Sequence, residues 1–329
     1  MNGSPTVEAM PPESHAPELG ERKDRPSRAR STAVKRDRYG RRETLTGYAF
    51  VIPNLLLLVV FLFLPLITAI LLSLQEASSF GPSSWIGLDN YRRLLDDDVF
   101  WRTLLNTAVF TVATVPTSIG IGLLLAVLLD KAMPARSLLR TIIYVPIVIS
   151  GLVTALIGLL MFDEGVGMLN SILAGLGVGA VNWQTNGTLA MASVIVMTVW
   201  TRVGFAMIIY LAGLQDIPAE VREAAQVDGA SGLQRFWYIT TPMLSATTFF
   251  LVVMNVIWSF QVFDVVYVMT NGGPGNDTEM LVTYAYDQGF GPTRDFGYGS
   301  TVGVMLFVLT LIVTVFRLRR ERSSGEVAS

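Results

Sequence analysis

"TLTGYAFVIPNLLLLVVFLFLPLITAILLSLQ", residues 44–75, contains no charged side chain. A helix rises about 1.5 Å per residue and a bilayer core is about 30 Å thick, so roughly 20 apolar residues cross it. This run is long enough to span. It is also far longer than the roughly 7–15 apolar residues of a cleaved signal peptide, and no small-residue cleavage site follows in "SLQEASSFGPSSWIGL". It reads as a retained membrane helix.

The pattern repeats along the chain. Windows 103–129, 141–162, 165–201, 236–263 and 296–316 also lack charge. A charge at the centre of a spanning helix costs about 2.5–3.5 kcal/mol, so windows that exclude it are informative. The 329 residues are 51% apolar but only 15% charged, where soluble domains carry about 25% charge. These features predict an all-α membrane protein with six transmembrane helices near 47–72, 104–129, 139–162, 188–211, 244–268 and 298–316. No internal repeat is visible.

Lys and Arg orient the helices, because positive residues stay cytoplasmic. Ten fall in residues 1–46, and Lys131, Arg136, Arg140, Arg222, Arg235, Arg317, Arg319, Arg320 and Arg322 fall on the same side. Arg92, Arg93, Arg102 and Arg294 fall opposite. Both termini are therefore expected in the cytoplasm. Residues 1–45 form a basic tail, rich in Pro, Ser, Arg and Glu, expected to be disordered. Its run "KRDRYGRR" could touch anionic lipid, although a topology signal alone explains it. The expected organisation is this tail at 1–45, a first span and outer loop at 46–100, a permease domain at 101–317 and a tail at 318–329.

Chemistry is scarce. The chain has no Cys and one His, His15 in the leading tail. There is no His/Asp/Glu cluster at metal-ligand spacing and no GxxxxGK[ST] phosphate loop. No catalytic residue, metal or cofactor is expected, nor a nucleic-acid partner.

Against this background "LQDIPAEVREAAQVDGASGLQRFWYITTPML" is unusual as a cytoplasmic loop. Asp216 is placed as an N-cap, with Pro218 in the first helical turn and Asp228-Gly229 as the stop. Ser231 can cap a second helix, and Pro242 opens the fifth span. Val221, Ala224, Ala225 and Asp228 share a helix face. That face is too small for a core of its own and suits a groove on another protein. An interfacial helix on the bilayer would instead carry cations and bulky apolar residues.

These residues resemble a family. Glu223-Ala224-Ala225, Asp228-Gly229-Ala230, Phe236, Ile239 and Pro242 look like the EAA loop of ABC-importer permeases of the carbohydrate-uptake group, of maltose and glycerol-phosphate type. "IGLDNYRRLLDDDVFWRTLLNTAVFT", "VWTRVGFAMIIYLAGLQDIP" and "FDVVYVMTNGGPGNDTEMLVTYAY" extend the resemblance over nearly all of the chain from about residue 47. Thr241 departs from it, standing where the family commonly has an apolar residue. The resemblance implies the type I ABC importer permease fold in a prokaryotic cell membrane. It implies coupling through the loop 216–242, with Glu223 paired to a basic group on an ATPase and Gly229 permitting the sharp turn. It implies two ATP-binding-cassette ATPase subunits that hold ATP and Mg, a second, homologous permease, and an extracytoplasmic substrate-binding protein that delivers a sugar or sugar-like solute.

Polar residues inside spans are functional candidates. Asn255, Ser259 and Trp258 lie at helical spacing, and with Trp200 and Gln261 they offer a ring and polar groups suited to a sugar. Interhelical packing is the competing reading. Asp264, near the outer end of the fifth span, suits a substrate contact or a structural hydrogen bond. Arg202 could meet an anion or a helix-end carbonyl, but snorkelling to the inner interface explains it more simply. Gly272-Gly273-Pro274-Gly275 reads as a tight outer turn, "LVTYAYDQGFG" as a short helix, and Asp96–Asp98 as a solvated acidic turn. Pro53, Pro65, Pro116 and Pro146 suggest kinks. A stand-alone secondary transporter or channel is the alternative function. It would be expected to carry buried carboxylates and often inverted repeats, and the loop would be left unexplained.

Overall fold

The computed structural model describes residues 39–78, 81–131 and 133–325. Four helices are long and apolar enough to cross a membrane: Thr46–Ser73, Asp98–Asp130, Gly187–Gln215 and Phe296–Phe316. Two bent pairs, Arg136–Val148 with Gly151–Met161 and Gly232–Met243 with Ser245–Phe260, bring the number to six if each pair is one span. They are called the first to sixth spans below, in chain order. Among the described residues the β structure is one short antiparallel ladder, Gln75–Glu76 with Ser84–Trp85, and an isolated bridge, Ser78 to Asp295.

Helix starts follow local chemistry. Asp97 caps the second span by accepting from the backbone N–H groups of Val99 and Phe100. Asn186 caps the fourth by accepting from Leu189 N–H. Asp295 accepts from Tyr298 N–H at the start of the sixth. Each short polar side chain satisfies a donor that the first helical turn leaves free.

Two compact units divide between Leu57 and Leu58. The described part of the first is the helix from Tyr39 onward. The disorder expected for residues 1–45 lies outside the described residues up to residue 38, and from Tyr39 the chain is helical. The end of the last tail, residues 326–329, also lies outside, and the sixth helix runs on to Gly325.

The second unit packs around its second, fourth and fifth spans. Ile119, Ala126, Met207, Tyr210, Leu214 and Leu251 form one buried cluster. Phe110, Ala155, Val194, Met197 and Val266 form another. Membrane helices gain little from apolar attraction and pack through close contact of small residues. Gly122 meets Ala206 so closely that a Cβ there would lie 2.5 Å from the alanine methyl. Gly204 leaves no room for a side chain against the Ile143 carbonyl. Thr107, Thr111 and Thr114 return their hydroxyls to carbonyls four residues back at 2.7–2.8 Å, so they sit in the membrane without loss.

Two spans differ from expectation. The third is not continuous over 139–162. It stops at Val148, runs extended through Ile149 and Ser150, and restarts at Gly151 turned by 99°. The fifth is not continuous over 244–268. It bends by 67° after Met243, ends at Phe260, and a separate helix, Asp264–Met269, follows. Hydropathy measures length and apolarity, so it does not register direction.

Candidate functional site

The loop between the fourth and fifth spans contains the helix Ala219–Val227. Pro218, not Asp216, stands at its N-cap, and Asp216 closes the fourth span instead. The helix ends in a Schellman turn. Ala230 N–H donates to Ala225 O at 3.0 Å and Gly229 N–H to Gln226 O at 3.1 Å. Gly229 takes φ +76, the left-handed conformation such a turn requires. Ser231 then caps the next helix in a reciprocal capping box with Gln234, as its sequence position predicts.

The expected docking face is only partly available. Val221, Ala224 and Asp228 are exposed, but Ala225 is buried in its own chain. Helical spacing groups residues on a face without fixing which neighbour turns inward. Arg222, read from the sequence only as a marker of orientation, holds the helix against the spans here. Its guanidinium donates to the Leu214 carbonyl and lies 3.3 Å from an Asp130 carboxylate oxygen. It thereby ties the helix to the ends of the fourth and second spans. Glu223 stays exposed on the outer side.

Phe236 and Ile239 are half-buried and line a cavity of 310 Å³ with Val127, Leu214 and Arg222. They belong to a π-helical turn, Phe236–Thr240. Thr241 Oγ1 donates to Phe236 O at 2.9 Å, which gives its hydroxyl a partner at the position where the resembled family has an apolar residue. Pro242 is exposed, one residue before the end of the short helix Thr241–Met243 and the 67° bend.

The pathway candidates do not form one cluster. Asn255 and Ser259 are fully buried. Ser259 Oγ donates to Asn255 O at 2.8 Å and accepts from Arg202 at 2.7 Å. Arg202 does not snorkel; it is 8% exposed. Trp258 lines a 460 Å³ cavity with Arg202 and the break in the third span. Trp200 lines a separate, apolar cavity of 560 Å³ with Ile121, Ile142 and Val203. Gln261 and Asp264 are exposed, Gln261 capping the fifth span and Asp264 opening the next helix.

At the opposite end, the turn at Gly272–Gly275 is tight as expected, with a cis Gly273–Pro274 bond, and the short helix appears as Leu281–Phe290. Asp97 is not part of a solvated turn. Besides capping the second span it accepts from the Tyr284 and Tyr298 hydroxyls. Burial pushes its carboxyl up, but those hydroxyls and the Phe100 and Val99 N–H groups outweigh burial and hold it below its ordinary range. Glu279 shows the reverse balance. Burial, with help from Asp287, pushes it up to about 7 against one hydrogen bond from Thr283. Asp277 pairs with Arg102, and Asp295 with Arg93 at 2.8 Å.

Comparison with known proteins places this arrangement. The sequence profile described as binding-protein-dependent transport system inner membrane component matches residues 118–322. The probable ABC transporter permease protein YurN of Bacillus subtilis (strain 168) is 34% identical, over 85% of this chain and 97% of its own. The trehalose/maltose transport system permease protein MalF of Thermococcus litoralis is 34% identical, over 85% of this chain and 95% of its own. A solved bacterial ABC transporter involved in the import of the acidic polysaccharide alginate superposes a chain with TM-score 0.77 and 25% identity, over 87% of this chain and 98% of that one.

Proposed function

The chain belongs to the family of binding-protein-dependent transport system inner membrane components, and on that premise we propose that this importer permease carries a sugar or sugar-like solute. Permeases of this family are not enzymes; ATP is hydrolysed on separate ATPase subunits. The name of the Thermococcus relative, a trehalose/maltose permease, supports the cargo class.

In this reading both termini are cytoplasmic, and ATP and Mg sit on two ATPase subunits below the chain. A second, homologous permease completes the pathway, and an extracytoplasmic binding protein delivers the solute. This chain binds no cofactor itself, and its apolar outer surface faces lipid. Ala219–Val227 is the coupling helix. Glu223, Ala224, Asp228 and Gly229 meet the ATPase, Ala225 seats the helix on its own chain, and Phe236, Ile239 and Pro242 lead the motion into the fifth span. Trp258 and Asp264 border the pathway, whereas Asn255 and Ser259 hold Arg202 beside it.

The observation that carries this reading is the anchored helix. It has a defined stop at Gly229, a fixed tie through Arg222 to two spans, and an outer side on which Glu223 has no side-chain partner among the described residues. A push on such a helix moves the spans. The test is purification in mild detergent followed by mass spectrometry. An ATPase should accompany the native chain and be lost when Glu223→Ala and Gly229→Val are combined. A lone chain that moves solute without ATP after reconstitution would overturn the reading.

A further inference from the structure

The third span breaks sharply, turning by 99° at Ile149 and Ser150. Ile149 (φ −71, ψ 138) and Ser150 (φ −57, ψ 141) are extended. Non-helical backbone at membrane depth survives only when buried in protein or lining a cavity. Here Ile149 and Gly151 line the 460 Å³ cavity with Thr154, Arg202 and Trp258.

Three independent features of that cavity favour negative charge. The helix Gly151–Met161 begins on it, and Ser150 supplies no side-chain cap. Its first N–H groups, the positive end of the helix dipole, are therefore uncapped by any side chain. Thr154 is 1% exposed and its Oγ1 has no hydrogen-bond partner. Arg202 is 8% exposed and donates only to Ser259 Oγ at 2.7 Å and Asn255 O at 3.4 Å. A guanidinium has five N–H donors, so several stay open. Among the described residues no carboxylate lies within ion-pair distance of it. A buried, unpaired cation is costly unless a partner arrives. The carboxylate of Asp264 lies against Gly151. It is exposed, and among the described residues it makes no side-chain hydrogen bond or ion pair.

We infer that this cavity is an anion subsite of the transport pathway, in which Arg202, the Gly151 helix end and the Thr154 hydroxyl take a carboxylate or phosphate carried by the sugar. Trp258, held edge-on by Phe205 with ring centroids 5.1 Å apart, offers a face to the attached ring. The cargo is then an acidic sugar. This rests on the importer reading and narrows it.

The test uses the complete importer, purified with the partners it brings from its membrane and placed in proteoliposomes. ATP-dependent uptake is measured for a glucuronate-containing disaccharide, glycerol 3-phosphate and maltose. Uptake of an acidic probe and exclusion of maltose is expected, and the preferred acidic probe tells carboxylate from phosphate. Arg202→Met should weaken the acidic probe's half-saturation by about 30-fold or more, the usual loss when one partner of a buried charge pair is removed. Arg202→Lys should recover part of it, and Thr154→Val should weaken the same probe without touching the cation. Thr154→Val keeps the test decisive if Arg202→Met does not assemble. Uptake of maltose alone, or equal half-saturation in wild type and Thr154→Val, would overturn the anion subsite while leaving the importer intact. No ATP-dependent uptake of either acidic probe would overturn the anion subsite, and a chain recovered without an ATPase that moves solute without ATP would overturn both.

Discussion

Gly229 shows how one residue is fixed by conformation alone. A Cβ at this position would meet nothing within 4 Å, yet φ is +76. Any substitution is therefore resisted by the backbone, not by a neighbour. An L-residue in this region costs about 1–2 kcal/mol, Asn less because its side chain bonds locally, and a β-branched residue more. Activity should thus rank Gly229, then Asn, then Ala, then Val, in binding-protein-stimulated ATPase of the assembled importer. Equal activity in the Val and Asn variants would remove the turn from the coupling argument. This glycine was legible in the sequence because Asp-Gly after a helix has few uses. Ala225 was not. Its methyl looks like those of its neighbours, and which of them turns inward is set by contacts distant in sequence, such as those of Arg222.

At the scale of elements, the spans were legible as lengths and not as directions. Absence of charge marked each window, and Pro146 and Pro242 stood near the places where the third and fifth spans bend. The paths of these bent spans are set by contacts far along the chain, of which the close approach of Gly204 to the Ile143 carbonyl is one. The helix proposed to couple is also held from afar. Arg222 reaches Asp130, 92 residues away, and the Leu214 carbonyl. A charged donor to such acceptors contributes about 1.5–3 kcal/mol. Arg222→Met keeps the aliphatic stem and removes the donors. Hydrogen exchange of the amides of 223–228 should then quicken by about 10-fold or more, while the fourth span stays protected. Unchanged exchange in that helix would show that it is held by its own residues and not by Arg222.

Over the molecule as a whole, the end opposite the helix Ala219–Val227 is tied by distant carboxylates whose protonation acts in opposite senses. Asp97 joins the second span to Tyr284 and Tyr298, 187 and 201 residues on. No local pattern announces such a tie, which is why the acidic run read as a solvated turn. Its carboxyl lies below the ordinary 3.8 in the folded chain. Its contribution is therefore present above about pH 4 and lost as pH falls through the lowered value. Glu279, raised from 4.5 to about 7, favours the folded state when protonated. Its contribution is full below its unfolded value and disappears as pH rises through about 7. The shift corresponds to at most about 3 kcal/mol, reduced by whatever solvent reaches the site. Thermal unfolding in detergent should accordingly show a midpoint that rises as pH is lowered from 8 to 5. Glu279→Gln, which mimics the protonated acid and still accepts from Thr283, should raise the midpoint at pH 8 and flatten the slope. Asp97→Asn should lower the midpoint throughout this range without altering the slope. A wild-type midpoint independent of pH between 5 and 8, matched by the Gln variant, would mean that Glu279 is solvated when the importer is assembled. The pH dependence of this end would then rest on Asp97 and its tyrosines and not on Glu279.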